Sequence, residues 1–133
     1  MVDSEIASLQ LFSGLSGDAA ARVSETGVTT VPAGQILAQA GDQGSGMFVV
    51  LDGTVTVERG NVHVDIEREG FFGELSLLVD HAPRVARVRA KTDARLIAIP
   101  RPTFDYLIDS EPSFSRELLK GIAAQLIEAR QGR

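Results

Sequence analysis

The chain has 133 residues, of which 44% are hydrophobic and 23% are charged, and its formal net charge is −5. That length suits one domain with a hydrophobic core and is too short for two ordinary domains, and the negative charge disfavours non-specific binding to nucleic acid. The sequence has no cysteine and no apolar run of the ~18 residues that a membrane span needs. We therefore expect a cytoplasmic protein without disulfides, thiol catalysis or a membrane partner.

Residues 1–27 are predicted to form an N-terminal helical segment. Ile6, Leu9 and Leu11 form a short apolar patch near its start. Ser16 is suited to cap a helix that continues through an alanine-rich stretch, and Gly27 is suited to end it.

Residues 28–99 change to a pattern of short strands and turns. The β-branched run Val28–Val31 leads to a turn around Gly34, and residues 47–51 are apolar on both faces, as in a central strand. Val62, Val64 and Ile66 alternate with polar residues, which predicts a strand with one buried face. Many short strands at this spacing predict an antiparallel barrel or jelly roll.

Residues 100–133 are predicted to form two C-terminal helices. Pro102 is suited to the first helical position of one helix, and Pro112 to the start of the other. In the second helix an apolar face recurs every four residues, at Phe114, Leu118, Ile122 and Leu126.

Arg84 is distinguished from its basic neighbours by the two-residue period of a strand. Arg84 shares its parity with small and apolar residues, whereas Arg87, Arg89 and Lys91 share the other parity and form a solvated face. An inward arginine needs an anionic partner, because an unpaired buried charge costs several kcal/mol. Its planar guanidinium group can donate hydrogen bonds to two oxygens of a phosphate at once.

The segment that begins at Gly73 concentrates polar groups inside apolar sequence. Gly73 allows a sharp turn, and free amides at the start of a short helix favour an anion. Glu74 only accepts hydrogen bonds, so it suits a pair of hydroxyls. Other interpretations stay open, because an acidic residue often begins a helix and because Glu74 and Arg84 could simply bond each other.

Residues 72–78 (FGELSLL) followed by residues 83–90 (PRVARVRA) resemble the phosphate-binding cassette of the cyclic nucleotide-binding domain family. That family includes catabolite activators and protein kinase A regulatory subunits. The resemblance covers nearly the whole chain and implies one domain over residues 1–133. It implies a mainly β fold, an eight-stranded antiparallel β-roll over residues 28–99 with the cassette at 71–86, flanked by helices at 1–27 and 100–133.

The resemblance also implies which residues bind the ligand. Glu74 corresponds to the glutamate that holds the ribose 2′-hydroxyl, and Arg84 to the arginine that pairs with the cyclic phosphate. Backbone amides around Gly73, Leu75, Ser76 and Val85 would complete the phosphate site. Because the side chain at Val85 lacks the hydroxyl with which some members favour guanine, the resemblance implies cyclic AMP in preference to cyclic GMP.

The contact to the base is not contained in the cassette. In many members the last helix folds over the base, and Arg130 near its end could stack on a purine. A solvated terminal arginine is the simpler interpretation, and both remain open.

An enzyme is not expected. The rival β-roll family, the cupins, needs clustered histidines and a glutamate, whereas this chain has only His63 and His81, which do not form a pair of ligands. No Gly-x-Ser-x-Gly elbow stands in a strand-to-helix context. We expect no catalytic residue, no metal and no cofactor other than the ligand, cyclic AMP.

Two functions remain open from the sequence. The first is a regulatory sensor that binds cyclic AMP and transmits binding through its C-terminal helices to a second copy or an effector. The second is a scaffold or dimerisation module that keeps the fold without depending on nucleotide. No recognition helix follows the last predicted helix, so we do not expect this polypeptide to bind DNA.

Overall fold

The computed structural model describes residues 2–38, 46–79 and 86–131. The described N-terminal segment contains helix α1 (Val2–Ala7), a 3₁₀ turn (Gln10–Phe12) and helix α2 (Gly17–Thr26). The Ser16 hydroxyl accepts a hydrogen bond from the Ala19 amide at 3.2 Å, and Gly27 ends α2 with a φ of 74°. Both predicted ends of this helix are therefore confirmed.

The described residues form eight antiparallel strands in two four-stranded sheets, with a short helix α3 (Glu74–Leu78) between the sixth and the seventh. The strands are β1 (Val28–Val31), β2 (Ile36–Ala38), β3 (Gly46–Asp52), β4 (Val55–Arg59), β5 (Val62–Ile66), β6 (Phe71–Phe72), β7 (Arg87–Ala90) and β8 (Ala94–Pro100). The first sheet has the order β1-β8-β3-β6 and the second β2-β7-β4-β5. The predicted antiparallel roll is thus confirmed.

The central strands of the first sheet, β3 and β8, are buried on both faces. On one face Val50 and Leu96 pack against residues of the second sheet such as Val88. On the other face Val49 and Ile97 pack against the helices. This explains why β3 is apolar at successive positions, as expected for a central strand.

Strand β5 differs from its prediction as a one-sided strand. It lies at the edge of its sheet, paired only with β4 among the described strands. Val62 and Val64 are 62% and 47% exposed, whereas Ile66 on the same face is only partly exposed. Alternation correctly groups the valines on one face, but an edge strand can extend beyond the elements that would cover that face.

Strand β7 confirms the predicted parity over its described residues. Ala86, Val88 and Ala90 are buried, whereas Arg87 and Arg89 point outward and bond the Glu58 carboxylate of β4. These hydrogen bonds, first from Arg89 and then from Arg87, hold the pKa of Glu58 below its ordinary value. The outer face of β7 is therefore an ion-paired surface.

Two C-terminal helices, α4 (Arg101–Ser110) and α5 (Pro112–Gln131), follow the roll as predicted. Pro112 begins α5, and Pro102 is the second residue of α4. The Glu111 carboxylate at their junction accepts hydrogen bonds from the Ser16 amide and hydroxyl at 2.8 and 2.9 Å. This buried contact joins the start of α2 to the start of α5.

Candidate functional site

The site is built where β6 turns into α3. Strand β6 pairs with β3, and the ring of Phe72 stacks on that of Phe48 with centroids 5.2 Å apart. The next residue, Gly73, has a φ of 94°, which lies in the left-handed region where a side chain would strain the backbone. The chain can therefore reverse sharply between a fixed strand and a short helix.

Glu74, the first residue of α3, is only 4% exposed, and Ser76 is 6% exposed. A carboxylate is rarely buried to this extent unless hydrogen-bond donors or cations compensate for its lost hydration. The turn thus places a buried hydrogen-bond acceptor where the sequence predicts the ribose contact.

Helix α3 is also tied to the C-terminal helices. The Arg101 guanidinium, at the first position of α4, donates a hydrogen bond to the Ser76 carbonyl at 3.2 Å. A displacement of α3 would therefore directly disturb this hydrogen bond to the first residue of α4.

A cavity of about 320 Å³ opens beside α3. Its size is at the lower end of the range for small-molecule sites, and its walls are mainly apolar, as is usual for such sites. The wall residues come from the β6–α3 turn, from three strands of the second sheet and from α5: Val57, Arg59, Ile66, Phe71, Phe72, Gly73, Glu74, Leu75, Ser76, Val79, Ala86, Val88 and Gln125.

Helix α5 reaches this cavity because it packs closely on β6. A Cβ atom at Gly121 would lie 2.5 Å from the Cζ atom of the buried Phe71 ring, closer than any side chain permits. One helical turn later Gln125 lines the cavity. The glycine lets the helix approach and thereby sets the position of Gln125.

Replacing Gly121 with alanine is expected to destabilise the protein. Alanine gains about 1 kcal/mol in helix propensity, but overpacking against Phe71 costs about 1–3 kcal/mol, so we expect a net loss of about 1 kcal/mol. Urea denaturation measures this change. Gly17→Ala is the matched control, because a Cβ atom there meets nothing within 4 Å and should leave stability unchanged or raise it. Equal stabilisation by both substitutions would contradict the close contact.

The structure brings four of the predicted site residues together on one wall of the cavity, namely Gly73, Glu74, Leu75 and Ser76. Arg84 and Val85 lie outside the described residues, so their roles stay predictions. Arg130 is exposed near the end of α5 and is not among the described residues that line the cavity. Its contact with the base also stays a prediction.

Two polar wall residues, Arg59 and Gln125, were not predicted. Arg59 has the same strand parity as Val55 and Val57, which is the signal that could have placed it on the inner face. Gln125 lies seven residues after the buried Leu118, a spacing that returns to the same helix face.

Within residues 2–38, 46–79 and 86–131, no group of His, Asp and Glu side chains is arranged to hold a metal ion. No helix in the same ranges combines the length and apolarity needed to cross a membrane.

Comparisons with known proteins place most of the chain in one family. The sequence model of the cyclic nucleotide-binding domain matches residues 28–111. A cyclic nucleotide-gated potassium channel of Rhizobium etli is 33% identical over 90 residues, which are 68% of this chain and 25% of the channel. A cAMP-dependent protein kinase regulatory subunit of Emericella nidulans is 34% identical over 80 residues, which are 58% of this chain and 19% of that subunit. The chain thus spans a quarter or less of these relatives' length.

Solved structures agree with this placement. The catabolite activator protein of Thermus thermophilus is 28% identical and superposes with a TM-score of 0.75 over 92% of this chain and 61% of that protein. A protein from work on a cyclic-GMP-dependent signalling pathway that regulates bacterial phytopathogenesis is also 28% identical, with a TM-score of 0.70 over 86% of this chain and 95% of that chain.

Proposed function

Because the chain belongs to the cyclic nucleotide-binding domain family, we propose that it is a regulatory module that binds cyclic AMP in the cavity beside α3. The observation that carries this proposal is the nearly complete burial of Glu74 directly after the left-handed Gly73, at a cavity of suitable size. A cytoplasmic location and a role without catalysis are part of the proposal.

The proposed division of roles follows from charge. The Glu74 carboxylate accepts hydrogen bonds from the ribose hydroxyl, because it has lone pairs and no proton to offer. It would repel a phosphate, so the phosphate requires a cation, and Arg84 supplies one whose fork bonds two oxygens. The amides around Gly73, Leu75, Ser76 and Val85 add further donors.

The position at Val85 favours cyclic AMP, because its side chain offers guanine no hydroxyl. The similar proteins include examples named for each nucleotide. The Emericella nidulans subunit is described as cAMP-dependent, and the phytopathogenesis protein comes from work on cyclic-GMP-dependent signalling. The choice of base in this chain therefore rests on its own residues.

Binding is proposed to act through the C-terminal helices as a population shift. Two contacts connect the site to them, namely the hydrogen bond from Arg101 to Ser76 and the packing of Phe71 on Gly121. A ligand that orders the β6–α3 turn would bias the position of both helices. The recipient is proposed to be a second copy or an effector protein or domain.

A second candidate function is a scaffold or dimerisation module that does not depend on nucleotide. It is favoured by exposed apolar residues on α5, since Leu119, Leu126 and Ile127 are between 50% and 65% exposed. Such residues on one helix are typical of a surface that contacts another chain.

Isothermal titration calorimetry with cyclic AMP and with cyclic GMP separates the two candidates. We expect saturable heat with at least one of them and a rise in melting temperature, because a ligand at 100 times its Kd adds about 2.7 kcal/mol to the stability. Absence of heat and of a melting shift with both nucleotides at millimolar concentration would refute the sensor and favour the scaffold.

A further inference from the structure

Arg59 is a cation on the inner wall of the proposed nucleotide cavity. It shares the inward face of β4 with Val55 and Val57, and it lines the cavity together with Val57. Its side chain forms no hydrogen bond or ion pair with any residue in the described ranges. The strand thus ends in an exposed arginine that lines the cavity and has no bonding partner among the described residues.

The other described arginines of the β-roll are already bonded. Arg87 and Arg89 bond Glu58, Arg95 bonds Glu5, and Arg68 bonds the Leu51 carbonyl. Ion pairs and hydrogen bonds within the protein therefore account for those side chains. No such partner accounts for Arg59 among the described residues, and its place on the cavity wall makes a ligand contact possible.

The polar residues that line the cavity are of two kinds. Glu74 and Ser76 are buried, whereas Arg59 and Gln125 are exposed. Val57 and Val88, which are partners across the β4–β7 pair, add an apolar part of the wall. If the ribose and phosphate bind beside Glu74 and Ser76, as the proposed function requires, the base is left to contact the wall that β4 and β7 form.

The two purines present different edges to a donor. A guanidinium only donates hydrogen bonds. Guanine offers two acceptors side by side, O6 and N7, whereas adenine has the N6 amino group, a donor, in place of O6. Arginine can therefore form two hydrogen bonds with guanine. With adenine it can form only one, to N7, because the N6 amino group is itself a donor.

We infer that Arg59 is a base-contact residue, through which the same cavity also binds cyclic GMP. This inference rests on the proposed function and adds cyclic GMP as a second ligand of that site. The Val85 side chain offers guanine no hydrogen bond, but it does not repel guanine either. Arg59 offers two donors, and of the two bases only guanine has two adjacent acceptors for them.

The test is calorimetry with both nucleotides on the parent chain and on Arg59→Met, which keeps an apolar stem and removes the donors. We expect the affinity for cyclic GMP to fall about tenfold, within the range for one bidentate base contact, and that for cyclic AMP to change less than twofold. Arg59→Lys should recover only part of the loss, because an ammonium does not bond O6 and N7 as a fork. Arg116→Met removes an equal charge at an exposed position of α5 outside the described cavity lining and should change neither affinity.

Each other outcome has a distinct meaning. Equal weakening of both nucleotides by Arg59→Met would place Arg59 at the phosphate and overturn the inference. No change with either nucleotide would show a solvated side chain and overturn it as well, while the proposed function stands. Failure of the parent chain to bind either nucleotide would overturn the proposed function and, with it, this inference. Melting curves without ligand verify that the variants are folded.

Discussion

Replacing Arg84 with alanine is expected to abolish the rise in melting temperature that a cyclic nucleotide gives the parent protein. Truncating one partner of a hydrogen-bonded charge pair costs about 2–5 kcal/mol, which weakens binding by about thirtyfold or more. The loss includes the cost of leaving a phosphate beside Glu74 without its cation. Thermal melting with and without cyclic AMP and cyclic GMP measures the effect.

Arg87→Ala is the matched control for this experiment. Arg87 is in the same segment but has the opposite parity, and its guanidinium bonds Glu58 on the outer face of the sheet. The variant should keep the full ligand-induced shift. If instead a nucleotide raised the melting temperature of Arg84→Ala as much as that of the parent, the phosphate assignment would be wrong.

Replacing Phe114 with alanine is expected to cause the largest loss of stability, about 3–5 kcal/mol. The ring is fully buried, and it stacks on Phe12 at 6.3 Å and meets Phe104 edge-on at 6.0 Å. It therefore joins the 3₁₀ turn, α4 and α5 at one point, and its removal leaves a cavity that three separate segments cannot easily close. Urea denaturation gives the change in the free energy of unfolding.

Leu119→Ala is the control for Phe114, because it removes an apolar side chain from the same helix at a position that is 65% exposed. A surface truncation of this kind usually changes stability by less than about 0.5 kcal/mol. A loss from Phe114→Ala no larger than that from Leu119→Ala would contradict the role of the ring in anchoring α5.

Local patterns predicted much of the architecture. The cap at Ser16, the end at Gly27 and the start at Pro112 depend on hydrogen bonds or backbone angles within a few residues of each position. The outward direction of Arg87 and Arg89 follows from the alternation of a single strand. The turn at Gly73 was likewise predictable, since a reversal between an apolar strand and a short helix favours a residue without a side chain.

Other features depend on residues that are distant along the chain. Alternation assigned Val62 and Val64 to one face, but only the order of the strands leaves that face open at the sheet edge. Parity could have put Arg59 on the inner face of β4, yet it could not reveal that this face borders a cavity also lined by Glu74 and Gln125.

The turn at Gly73 and the division of β7 into two faces were therefore predictable from the sequence, because each depends on local backbone geometry. The burial of Glu74 and the lining of the cavity by Gln125 depend on tertiary packing. Gln125 reaches the cavity because α5 closes on Phe71 at Gly121, a contact between segments 50 residues apart. Such contacts are formed when the chain packs, and the tertiary structure alone brings Arg59, Glu74 and Gln125 to the lining of one cavity.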